Sequence, residues 1–346
     1  MTAREAMDIA RQWVNAEAIS MEGFAGAFFT GSVLWMADDA QVPATSDVDL
    51  HVLLSVKLPK PSNQKFRYHD VIFDVGFESL AQNLDPEAKA RSGLWACHFS
   101  RDNVISDPTG ALCKIQEVVR GSYTRERAVL ERCNSLAESA LSWLDGLGHS
   151  QVYETVARFP PAAIQAATIP VLAVLGLPTA RRGLSVARQV LRKWSRIDLY
   201  QTVLEALEAS SLTARDVERQ MEETTKAFDL AVRVAVAPYP WQNLLCEEGR
   251  YCVIDGTRKM IQIGQYREAA PYLLFIRSNC QIVIDKDAPA DRARRSRQEY
   301  NNMLSTNLLG TQSDREKMEA EIRALVPMCL EAATRIAKLN PELRHD

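Results

Sequence analysis

Between Asp47 and Ser55 the chain reads Asp-Val-Asp-Leu-His-Val-Leu-Leu-Ser, and this segment restricts the fold more than any other. Residues two apart on a strand point to the same side. Asp47 and Asp49 therefore share one face, and Val48, Leu50, Val52 and Leu54 make up the other. Two neighbouring carboxylates repel and need a compensating cation unless one takes up a proton. A divalent metal is the natural compensation, since Mg²⁺ prefers carboxylate oxygens combined with phosphate oxygens.

The flanking chain supplies more of the same chemistry. Apolar positions Met7, Ala10, Trp13 and Val14 repeat at helical spacing over residues 3–20, and Phe24 to Thr30 is a short apolar run that suits a buried strand. A Gly31-Ser32 turn, a short segment at residues 33–36 and a polar loop at 38–46 lead into the acidic strand. After a break at Pro59 and Pro61, residues 66–77 read as a third strand. There Phe73, Val75 and Phe77 lie on one face, with Ile72, Asp74, Gly76 and Glu78 on the other. Asp74 can then complete a three-carboxylate cluster able to hold two metals for phosphoryl chemistry. Gly31 lets the backbone approach phosphate, while the Ser32 hydroxyl and the following amides donate to it.

Beyond Ser79 helical periodicity dominates, in long runs at residues 125–147, 185–207 and 213–236. The exception is an extended piece at 103–106 closed by the Asp107-Pro108-Thr109-Gly110 turn. A chain of 346 residues exceeds what one core sustains, so two domains are expected, with the boundary near Gly121: residues 1–120 and 121–346. The fold class expected is α+β, a small mixed sheet flanked by helices and followed by an all-helical bundle.

Composition excludes several classes. A net charge of −3 gives no global basic field of the kind that coats DNA. Seven scattered cysteines without a C-x-x-C pair indicate neither a disulfide framework nor a zinc site and read as reduced, mostly buried thiols. The amphipathic N-terminus lacks the pattern of a secretion leader, so a cytoplasmic location is expected. The most membrane-like stretch, residues 162–177, is interrupted by Gln165, Thr168 and Pro170 and falls short of the roughly 20 residues of a spanning helix. It reads as a buried helix, and no membrane partner is expected.

The arrangement Phe29-Thr30-Gly31-Ser32, then Ser46-Asp47-Val48-Asp49-Leu50, then Val71-Ile72-Phe73-Asp74-Val75 resembles the DNA polymerase beta-like nucleotidyltransferase superfamily. Its overall shape is closest to the aminoglycoside and kanamycin nucleotidyltransferases, in which a minimal catalytic domain precedes a helical bundle. The resemblance is specific over residues 24–78. It implies that Asp47, Asp49 and Asp74 ligate Mg²⁺, two ions in all, and that Gly31, Ser32 and Ser46 contact a nucleoside triphosphate, with ATP the expected one. It further implies transfer of a nucleotide to a hydroxylated small molecule bound by the helical C-terminal domain, with release of pyrophosphate. An RNA or protein acceptor and a non-catalytic nucleotide-binding regulator are the alternative readings. The basic residue that often follows the family's Gly-Ser is absent, so positive charge must come from elsewhere; Lys57, Arg181, Arg182 and Lys193 are the candidates.

Other residues read less sharply. Glu78 shares the face of Asp74 and is either a general base or a solvated strand end. His51 reads as a local hydrogen-bonding group and His98 as a packed residue. Arg292 to Arg297 and the arginines from Arg181 to Arg196 read first as exposed basic helix faces. Tyr239, Trp241, Tyr251, Tyr266 and Tyr272 suit either bundle packing or an acceptor pocket.

Overall fold

A computed structural model describes residues 1–346 except 57, 59–61, 83–84, 148–150, 237–238 and 346. Its backbone contacts divide it into two compact units. One comprises residues 1–132, 242–252 and 341–346, and the other 133–241 and 253–340.

The first unit is built on a five-stranded mixed sheet. Its strands are β1 (Phe24–Phe29), β2 (Val48–Leu54), β3 (Ser62–Tyr68), β4 (Val71–Ser79) and β5 (Val104–Ser106), in spatial order β3-β4-β2-β1-β5. β2 and β4 run parallel; the other pairings are antiparallel. The expected single strand over 66–77 is instead a hairpin, β3 turning at His69 and Asp70 into β4. His69 takes a φ of 50° there, a left-handed conformation that His, Asn and Asp adopt more readily than most residues.

Each face of the sheet has its own cover. Helix α1 (Ala3–Ala16) starts in a capping box formed by Thr2 and Glu5 and buries Ala3, Ala6, Ala10, Trp13 and Val14. That stripe packs on Val48, Leu50, Val52, Phe73 and Val75, the apolar face read from the alternation. Trp13 lies 5.4 Å from the Phe66 ring and 6.0 Å from that of Phe73. On the opposite face, Ala25, Phe28 and Leu53 pack with residues of α2 (Pro86–Arg91), α3 (Ala96–Phe99) and α4 (Ala111–Ser122). The sheet is thus flanked by helices on both faces, an α+β arrangement.

The remaining helices are α5 (Glu126–Ser142), α6 (Val152–Leu172), α7 (Gly183–Lys193), α8 (Ile197–Ala206), α9 (Ala214–Val234), α10 (Glu247–Arg250), α11 (Gly256–Gln262), α12 (Tyr266–Asp287), α13 (Ala290–Thr306) and α14 (Gln312–Leu339). Short α10 belongs to the sheet unit and packs against β3. In the helical unit, α12 packs on α6, α9 and α13, and α14 packs on α6. The long run expected at 185–207 is broken into α7 and α8 at Ser195, whose φ of 55° cannot continue a right-handed helix. Residues 162–172 lie within buried α6, and no described helix is long and apolar enough to cross a membrane. Five of the seven cysteines are buried, and none forms a disulfide.

Candidate metal and nucleotide site

Strand register brings the acids together. β2 and β4 pair so that Asp49 lies opposite Asp74, and Asp47 immediately precedes β2. One carboxylate oxygen from each of Asp47, Asp49 and Asp74 falls within 4.8 Å of the other two. The covalent alternation of β2 and the parallel pairing therefore produce a three-carboxylate cluster, as the sequence implied.

What the sequence reading missed is a lysine inside that cluster. β3 pairs with β4 so that Lys65 lies opposite Asp74, completing a row of three charged residues across neighbouring strands. The Lys65 ammonium, on a side chain only 1% exposed, bonds the Asp47 carboxylate and lies 3.0 Å from Asp74 Oδ2. Burial alone favours the neutral amine, but Asp47 and Asp74 overcome it and raise the Lys65 pKa. Burial likewise opposes ionisation of Asp47. The charge and hydrogen bond of Lys65, with the Cys252 thiol assisting, win and hold that carboxyl below its usual range. Three carboxylates thus share this corner with the Lys65 ammonium.

The segment 242–252 finishes this corner of the sheet unit. Asn243 Nδ2 donates to both oxygens of Asp74, at 3.2 and 3.1 Å, which fixes that carboxylate's orientation. Farther along, Arg67 on β3 sits 5.4 Å from the centre of the Tyr251 ring.

Gly31 follows β1 and has a φ of +69°. A Cβ added there would fall on the Asp49 carboxylate and lie 2.8 Å from its Cβ. The left-handed backbone and the close approach both require glycine. Thr30 N donates to Asp49 O at 2.9 Å, tying the turn to β2, and Ser32 opens a one-turn helix over Val33–Trp35. Gly31→Ala is expected to lower folding stability by about 1–3 kcal/mol through strain and collision. Urea unfolding of the variant checks this, and an unchanged midpoint would remove the close-packing assignment.

Ser46 sits in the turn that precedes Asp47, its amide donating to Pro43 O at 2.9 Å. Arg101 stacks 4.2 Å over the ring of Trp35, three residues after Ser32. Of the basic candidates, Arg181, Arg182 and Lys193 belong to the helical unit, where Arg181 packs against Gly256. Lys57 lies outside the described residues.

Farther along the same face of the sheet, Glu78 Oε1 lies 2.7 Å from His51 Nδ1. Glu78 is thus a paired group, its side chain 14% exposed, and not the solvated strand end that was one of its two readings. Gly76 makes room for the imidazole: a Cβ there would come within 2.6 Å of His51 Nδ1. His51 stacks on Phe28 at 5.3 Å and meets Trp95 edge-on.

Beneath it, burial and then the nearby His51 push the His98 imidazole down to about 4. In the unfolded chain histidine titrates near 6.5, so acid protonates the unfolded state first. Stability should be full above about pH 6.5 and fall by about 2–4 kcal/mol as the pH drops toward 4. His98→Leu should flatten that limb. Urea unfolding across this range tests it, and an equal slope in the variant would assign the loss to other groups.

No protein-family model matches this chain, and no curated protein matches it at a significant level. Among solved structures, the chain is similar to a nucleotidyltransferase-like protein from Exiguobacterium sibiricum 255-15. The two are 13% identical over 93% of this chain and 89% of that one, with a TM-score of 0.26. So loose a superposition carries no conclusion about this chain's chemistry.

Proposed function

We propose that the chain is a divalent-metal-dependent nucleotidyltransferase that moves a nucleoside monophosphate from a nucleoside triphosphate to a hydroxyl acceptor, releasing pyrophosphate. The observation that carries this reading is the convergence of Asp47, Asp49 and Asp74 within 4.8 Å beside the Gly31 turn. Three convergent hard oxygen donors fit Mg²⁺, and the three aspartates would hold it. Bound there, Mg²⁺ would supply charge neutralisation for the phosphates and an activated attacking oxygen.

The protein's own residues do the rest. The turn at Gly31 and Ser32 offers amides and a hydroxyl to the triphosphate, with Ser46 at the entry to β2. Lys65 and Asn243 hold Asp47 and Asp74 in place, so the carboxylates need little reorganisation when substrate arrives. Glu78, paired with His51 on the same sheet face, is the candidate to receive the acceptor's proton. ATP is the proposed donor and a small hydroxylated molecule of aminoglycoside type the proposed acceptor, bound by the helical unit.

One observation favours a second reading. Lys65 already pairs with two of the acids, an internal cation of the kind a non-catalytic nucleotide-binding protein could retain. A pyrophosphate-release screen separates the two, using all four nucleoside triphosphates, Mg²⁺ and a panel of small-molecule and RNA acceptors. Wild type should release pyrophosphate with at least one pair, and Asp47→Ala/Asp49→Ala should not. Nucleotide binding without release for any pair would support the regulator, and equal release by wild type and variant would abolish the metal-site assignment.

A further inference from the structure

The helical unit contains a second charged site, far in sequence from the acids. A cavity of about 200 Å³ is lined by Arg188 and Arg192 of α7, by Tyr200 of α8, and by Tyr266, Arg267 and Glu268 at the start of α12. That volume holds several water-sized groups.

Its charges do not balance. Glu268, 3% exposed, accepts from Arg188 Nη1 at 2.7 Å and from the Tyr200 hydroxyl at 2.6 Å, so its charge is committed to Arg188. Among the described residues neither Arg192 nor Arg267 has a carboxylate partner, and Arg267 Nε is buried without any hydrogen-bond partner. Three guanidiniums face one carboxylate, leaving two positive charges in a small concave site. Like charges gathered this way in a concave site favour an anion.

Helix α12 adds to the field. It is 22 residues long, and its N-cap Gln265 makes no side-chain cap; the Gln265 Oε1 accepts from Ser185 at 2.8 Å instead. The first-turn amides of a long helix, carrying the positive end of its dipole, therefore open next to Arg267.

We propose that this cavity binds a phosphate dianion, free or as the phosphate group of a small ligand. Two net positive charges match a dianion. Arginine forks from two helices, together with backbone amides, can meet a tetrahedral group from several directions, which a planar carboxylate would not fill. The site stands on its own residues and does not depend on the reaction assigned to the acids.

Isothermal titration of the full chain with inorganic phosphate tests this, in EDTA and at ionic strength held constant with chloride. One saturable site is expected. Arg192→Gln and Arg267→Gln should each weaken it about tenfold, the scale of one lost charge-assisted hydrogen bond. Asp47→Ala/Asp49→Ala should leave it unchanged. A glycerol phosphate arm distinguishes a phosphate ester from the free ion, with the tighter of the two identifying the natural form. Absence of saturable binding, full affinity in the arginine double variant, or loss of binding in the aspartate variant would each overturn the proposal. Arg192 is exposed on α7, so Arg192→Gln carries the test if Arg267→Gln fails to fold.

Discussion

Lys65→Met should lower folding stability in EDTA by about 3–5 kcal/mol, the cost of leaving buried charges without their partner. The methionine keeps an unbranched apolar side chain one atom shorter than that of lysine, so the loss is dominated by the missing ammonium. Asp47 and Asp74 would then face each other with no ammonium between them. Millimolar Mg²⁺ should recover much of the loss, because the cation takes over the compensation and stabilises the folded state by mass action. Urea unfolding with and without Mg²⁺ measures both effects. A change below about 1 kcal/mol would show that Lys65 adds nothing beyond a solvated pair, and a loss that Mg²⁺ leaves untouched would mean that the cluster does not bind the metal.

Asp74→Asn should reduce pyrophosphate release on the order of a thousandfold under the reaction proposed for this site, comparable to removing one preorganised electrostatic contact from a reacting centre. The amide keeps the side chain's shape but loses the charge, and it turns an N–H toward Asn243 Nδ2, itself a donor. The Mg²⁺ concentration required for half-maximal release should also rise. Steady-state assays over a Mg²⁺ titration read both, and a variant with wild-type Mg²⁺ dependence would place Asp74 outside the metal's ligands.

Much of this corner was legible from sequence because strand geometry is local. The alternation in residues 47–55 fixed which side chains share a face before any partner strand was known, and the same rule applied to residues 72–78. Lys65 was hidden by one misplaced turn. Read as a single strand from residue 66, the segment begins one residue after the lysine. Once the turn is set at His69 and Asp70, Tyr68 meets Val71, and three steps outward Lys65 meets Asp74. The turn escaped notice because His-Asp lacks the glycine or asparagine that marks tight hairpins. The break between α7 and α8 was similarly silent, since Ser195 adopts its left-handed φ without a glycine. Asn243 and Cys252 offered no local signal at all. Asn243 is 169 residues from the carboxylate it orients, a separation no periodicity spans.

That separation also sets an order of events in synthesis. The sheet unit comprises residues 1–132 together with 242–252 and 341–346, so its sequence is interrupted twice by the helical unit. As the chain emerges from its N-terminus, the three aspartates and Lys65 are available early, yet Asp74 lacks its amide partner and Asp47 its thiol until synthesis has passed residue 252. The whole stretch 133–241 is made in the interval. A ribosome-bound chain therefore carries an acidic cluster held by Lys65 but lacking Asn243 and Cys252, and the complete cluster is a late product of translation although its acids lie within the first quarter of the sequence.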